Sequence, residues 1–266
     1  MRKSIFALVT AVAVLAAGGV AYAANIYSVT GSATPAGKGT AKKPVPKTLK
    51  FGLSVKDSNP ANRGTPIKTF AIGAEGLVTY PEAFPTCTFS QANAGTVSSK
   101  CKKAKVGSGL VQNTVGPGTA PTVKLFCNLK LALYNISGSG KNGGLAIRLD
   151  GDPPAAPSEG SKAIGCPTPI HLSIKAAYKP VKIGGVTSDE LRFTVPPDLL
   201  HPSGLDNTVR NVTAKIAKTA KKKIAGKSRK VGFYSGVGCK GKTRDIRATF
   251  TAEDGAKGTD TDSFKC

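Results

Sequence analysis

The chain has 266 residues, with 38 Lys and Arg against 15 Asp and Glu, a net charge of +23 and no Trp. With 31 Gly, 18 Pro and few aromatics, the composition excludes a core built on large rings and predicts many turns around Val, Ile, Leu and Ala. Thirty of the basic residues are Lys, which disfavours bidentate guanidinium recognition and leaves diffuse attraction to anions.

Residues 1–24 read as a signal peptide: Arg2 and Lys3, an apolar run from Ile5 to Val20, then Ala21-Tyr22-Ala23 as a small-residue cleavage site. The run falls short of the ~20 apolar residues that a bilayer span needs, and it contains Gly18 and Gly19. Cleavage leaves about 240 residues, a side-chain charge of +21 and no second apolar stretch of spanning length. The expectation is a secreted or surface-held protein without a transmembrane anchor. All six cysteines lie in the exported part, so an oxidising compartment and up to three disulfides follow. Six cysteines allow 15 pairings, and the expected set joins nearest neighbours: Cys87–Cys101, Cys127–Cys166 and Cys239–Cys266.

Residues 25–47 read as an extended basic arm rich in Pro and Gly, with one short strand at Ile26–Thr30. Period-two alternation then begins at Leu49, Phe51, Leu53 and Val55. It returns at Phe70–Ile72, Val123–Leu125, Leu129–Leu133, Leu145–Leu149, Ile170–Ala176, Leu191–Val195 and Ile246–Phe250. Turn residues separate these runs, so the predicted fold is all-β: an antiparallel, disulfide-stapled, sandwich-like architecture. A shift of 121 positions lays Leu49–Val55 on Ile170–Ala176, which suggests two β-rich lobes, 48–165 and 166–266. One continuous domain over 48–266 is the alternative.

The segment from Asp206 to Gly226 fits two patterns. As a helix it would carry Val209, Val212, Ile216, Ala220 and Ile224 as a stripe. As a strand it faces Val212, Ala214 and Ile216 inward. Lysines at 215, 218, 221 and 222 would repel at helical spacing, so strand is the preferred reading.

Several phrases occur together: PAGKGTAKKPVP at 35–46, TYPEAFPTC at 79–87, CKKAKVGSGLV at 101–111, VPPDLLHPSG at 195–204 and GFYSGVGC at 232–239, followed by RDIRATFTAEDG. Over most of the mature chain this series resembles a group of secreted, cysteine-containing, β-rich proteins of high-GC Gram-positive bacteria. The resemblance implies export and a bacterial surface setting, and it implies no chemistry.

Motifs for chemistry are weak. GSGKNG at 138–143 has the spacing of a dinucleotide loop, but strand-like sequence flanks it on both sides. A hairpin is expected there and no nucleotide cofactor. His171 alternates with Ile170 and Leu172 on a strand, and His201 precedes Pro202 in a turn. Neither has a Cys, Asp or Glu at ligand spacing, so no metal site is assigned. Asp150 and Asp152, and the group Glu253, Asp254, Asp260 and Asp262, match no calcium loop and read as turn residues. Ser235 stands outside a nucleophile elbow. No catalytic residue or cofactor is assigned.

Charge is the remaining signal. No acid interrupts the basic residues between Glu82 and Asp150 or between Asp206 and Asp245. The expected function is a non-enzymatic envelope or extracellular protein that contacts anionic polymers of the cell envelope. The residues assigned to it are Lys215, Lys218, Lys221, Lys222, Lys223, Lys227, Arg229 and Lys230, with Lys100, Lys102, Lys103 and Lys105 as a second patch. Two alternatives stand beside it: a structural module that binds a protein partner, and an extracellular hydrolase with a dispersed site.

Overall fold

A computed structural model describes residues 25–137 and 143–266. The signal-peptide segment and most of GSGKNG lie outside the described residues. The strands are β1 (Asn25–Thr34), β2 (Val45–Asp57), β3 (Ile67–Ala74), β4 (Leu77–Thr79), β5 (Lys105–Gly116), β6 (Leu125–Ile136), β7 (Gly144–Gly151) and β8 (Ile170–Ile183). They continue as β9 (Val186–Thr194), β10 (Asp206–Ile216), β11 (Thr219–Ile224), β12 (Lys227–Gly232), β13 (Tyr234–Gly236), β14 (Thr243–Ala252) and β15 (Lys257–Lys265). Three short α-helices interrupt them, α1 (Phe89–Asn93), α2 (Ser99–Ala104) and α3 (Pro197–Leu200), with single 3-10 turns at Pro81–Ala83 and Pro202–Gly204.

One sheet runs β15-β14-β3-β9-β8-β7-β6-β5-β10-β2-β13-β4, with β1 on β2, and every named pair is antiparallel. The sheet curls until β1 meets β15. Backbone N–H groups of Val29 and Gly31 donate to the carboxylates of Asp260 (2.7 Å) and Asp262 (3.2 Å), and the Tyr27 ring stacks on Phe250 at 4.5 Å. Side chains bridge this seam. The resulting sandwich-like roll encloses one apolar interior that includes Leu53, Phe70, Leu131, Leu149, Ile174 and Phe250. Period-two patterning produces it, because alternate residues of each strand share one face.

β6 and β7 depart from alternation: from Cys127 on, all of β6 but Lys130 and all of β7 but Asp150 are buried. Their inner face lines the roll. Their outer face (Ala132, Tyr134, Ile136, Ala146) is covered by α1 and α2, with Ala92, Cys101 and Ala104 packed on it. Thr88 and Gln91 form a capping box that starts α1, and Ser98 caps α2. The disulfide Cys87–Cys101 ties these helices down, while Cys127–Cys166 and Cys239–Cys266 close two further loops.

Four expectations need correction. The arm at 25–47 is largely sheet, because β1 extends to Thr34 and β2 starts at Val45, and each edge satisfies the other's backbone groups. Val123 lies in a turn before β6. The boundary at 165 separates no sheets: β3 sits between β14 and β9, and β5 pairs with β10. The 121-residue shift does not reproduce the pairing either, since β8 and β9 form a hairpin while β2 and β3 do not pair. Residues 206–216 are strand, with Ile216 buried and Thr213 and Lys215 exposed.

Candidate functional site

The two lysine patches meet. Lys100, Lys102 and Lys103 stand exposed on α2, and Lys105 opens β5 half-buried. β10 runs antiparallel to β5 and places Ile216 opposite Gly107, so the chain leaves β10 beside α2. There the Lys218 Nζ donates to the Lys103 carbonyl at 2.7 Å. The β11–β12 hairpin follows, turning through Ala225 and Gly226, both at positive φ as a two-residue primed turn requires. Lys221, Lys223, Lys227 and Lys230 are exposed on it, and Lys222 and Arg229 are half-buried.

Like charges face each other across these strands: Lys221 opposite Lys230 and Lys222 opposite Arg229. Such pairs weaken a ladder. Lys222 is relieved by an ion pair to Glu82 and by the Tyr80 ring, 4.8 Å away, and burial lowers its pKa. Lys50 opposite Lys215 is a third pair, and Lys50 was outside the sequence-based set. Its outward phase in β2 was readable, but its partner depended on strand order.

Lys50 and Lys215 border a surface depression of about 430 Å³ that also holds the hydroxyls of Thr30, Ser32, Ser108 and Thr213. Glycine makes the hollow. A Cβ on Gly109 would strike the Thr213 carbonyl, and one on Gly52 would strike the Thr30 hydroxyl.

Each histidine has acidic partners that residue spacing did not reveal. β7 and β8 pair so that Asp150 faces His171. Asp150 lies 3.1 Å from Nδ1 and Asp152 lies 2.7 Å from Nε2. His201 is held likewise, with Asp206 3.1 Å from Nδ1 and Glu253 2.8 Å from Nε2. Hydrogen bonds that the ring donates to Asp150 and Asp152 raise the His171 pKa, and the bond to Glu253 leads the rise at His201. Burial alone would raise the Asp150 carboxyl, but bonds from Arg148 and His171 outweigh it and hold it low. With both nitrogens of each ring facing carboxylates, neither ring offers a free nitrogen to a nucleophile.

The remaining acids have structural partners. Asp254 accepts from the Ala256 N–H, and Asp260 and Asp262 hold β1. Ser235 is buried, accepting from the Gly232 N–H and donating to its carbonyl. Among the described residues, no group of three or more His, Cys, Asp or Glu side chains is arranged to hold a metal, and no helix is long and apolar enough to cross a membrane. β6 and β7, which flank 138–142, form an antiparallel pair, not the strand–helix unit of a dinucleotide site.

A broad outer groove of about 1260 Å³ lies over β14, β3, β9 and β8. Among its lining residues the buried Glu190 takes bonds from Arg192 (2.6 Å) and Arg247 (3.5 Å). Those guanidiniums are thus engaged with a carboxylate of the protein itself. No family model matches the chain, and no curated protein is significantly similar to it.

Proposed function

We propose that this protein is an exported, non-enzymatic envelope or extracellular protein that binds anionic polymers through its lysine face. The observation that carries this reading is the junction of the two acid-free basic segments at Lys218 and Lys103. The depression bordered by Lys50 and Lys215 continues that face and adds hydroxyl donors for phosphate or carboxylate oxygens. Like-charged cross-strand pairs concentrate positive charge on the hairpin at a cost to the ladder, which a bound polyanion would offset. Three disulfides support a non-cytoplasmic setting. Lysine ammoniums act as point charges, so recognition is Coulombic and tolerant of polymer sequence.

The test is binding of the oxidised protein to poly(glycerol phosphate) and to neutral dextran across a salt series. Selective binding of the anionic polymer is expected, with log affinity falling linearly in log salt through counterion release. Changing Lys50, Lys215, Lys218, Lys221 and Lys230 to Gln should flatten that slope. Equal binding to dextran, salt-insensitive binding or no binding would refute the reading.

A further inference from the structure

The interior of the roll is not filled. A cavity of about 140 Å³ remains between its walls, lined mainly by aliphatic and Phe side chains that include Leu131, Leu149 and Phe193. Eleven strands line it, β2 to β10 with β13 and β14, more than the roughly eight that side chains alone just fill in a closed barrel.

The polar residues in the lining are Asp189, Tyr234 and two amides. Asn113 on β5 and Asn207 on β10 are 2% and 5% exposed, and the Oδ1 of each has no hydrogen-bond donor. Register places Val209 opposite Asn113 and Val115 opposite Asn207, so the two amides are diagonal neighbours on one face. Such neighbours are about 7–8 Å apart, close enough to serve one small molecule. The Asn207 Nδ2 donates to the Leu199 carbonyl at 2.8 Å, which fixes its orientation and leaves Oδ1 as the free acceptor. A buried amide oxygen without a donor is a standing penalty that a ligand hydroxyl or N–H removes.

We propose that this cavity binds a small apolar molecule carrying one hydroxyl or N–H donor, with the donor on the Asn113 Oδ1, beside Asn207, and the body among the Leu and Phe side chains. An apolar cavity of roughly 150 Å³ accommodates a benzene-sized ring, so a single ring or a short branched chain fits. Anions are excluded: no cation lines the cavity, and Asp189 does. The site uses none of the lysines of the outer face.

Fluorine NMR titration of the full oxidised chain with 4-fluorophenol and with fluorobenzene tests this. Saturable binding of 4-fluorophenol, about tenfold tighter than fluorobenzene, is expected from the added hydrogen bond. Asn113→Leu should bring the two affinities together, and Leu149→Phe, which fills the cavity, should remove both. Absence of saturable binding, or equal affinities in the unaltered protein, would overturn the proposal. That last comparison needs no variant, so a misfolded Asn113→Leu protein leaves the test intact.

Discussion

The Nε2 of His201 lies 2.8 Å from the Glu253 carboxylate across 52 residues of chain. With Asp206 on its other nitrogen, the ring ties the turn after α3 to the start of β10 and the end of β14. Both contacts favour the imidazolium, so the folded pKa stands above the ordinary 6.5, as it does at His171.

A pKa raised by folding contributes stability that is complete below the unfolded value and disappears as pH rises through the folded value. The urea midpoint should therefore fall as pH is raised above 6.5, and a His171→Gln/His201→Gln protein should lack that fall. Both rings are more than a third exposed, so each pair is worth less than about 1 kcal/mol and weakens with salt. Identical pH profiles for the two proteins would contradict the assignment.

Lys47 should give the opposite trend in a higher window. Its side chain is buried at 2% exposure, donating to the carbonyls of Pro35 (2.5 Å) and Gly37 (2.7 Å). Burial first, and the nearby Arg244 charge second, lower its pKa to about 8. Folding therefore disfavours the charged form below pH 8, and that penalty fades as pH rises toward the unfolded value near 10.5. From pH 8 to 9.5 the unaltered protein should gain stability relative to Lys47→Met in denaturant titrations. A constant difference would refute it.

The β1–β15 seam depends on a missing side chain. A Cβ on Gly258 would sit 2.2 Å from the Tyr27 ring, which is stacked on Phe250. Gly258→Ala should cost roughly 1–3 kcal/mol, as overpacking does. Gly95→Ala, where nothing lies within 4 Å, should be near neutral. Calorimetric midpoints for the two variants decide it.

Disulfide removal should scale with loop length. Cys127–Cys166 spans 39 residues and Cys87–Cys101 spans 14. Chain-entropy arguments give several kcal/mol for either bond and about 1 kcal/mol more for the longer loop. Paired Cys→Ser variants in chemical denaturation test that order.

In the basic hairpin, Lys221→Thr removes a like-charged cross-strand pair with Lys230 and replaces it with a β-branched residue. Stability should rise by about 0.2–1 kcal/mol, and the rise should shrink in high salt. Polymer binding should weaken in the same protein. A variant that gains stability without losing affinity would separate this hairpin from the binding surface.

Much of the fold was legible because half-buried strands announce themselves by period two. Leu49–Val55 and Ile246–Phe250 lie where alternation put them, in β2 and β14. β15 was invisible: its inward positions are Gly258, Asp260, Asp262 and Phe264, only one of them a large apolar residue, and its neighbour on one side is reached through carboxylates. β5 was obscured by Gly107 and Gly109, whose lack of a side chain lets β10 approach closely.

The sequence by itself determined the all-β class, the two acid-free lysine segments and the supply of cysteines, since each is a property of local pattern or composition. Tertiary structure alone decided that β3 lies between β14 and β9, that Lys218 reaches Lys103, and that two carboxylates clamp each histidine. It also decided that Asn113 and Asn207 share one cavity wall. The physical reason is strand order. Alternation says which face of a strand is buried, but the neighbour of each strand is set by how all the faces pack around a common interior.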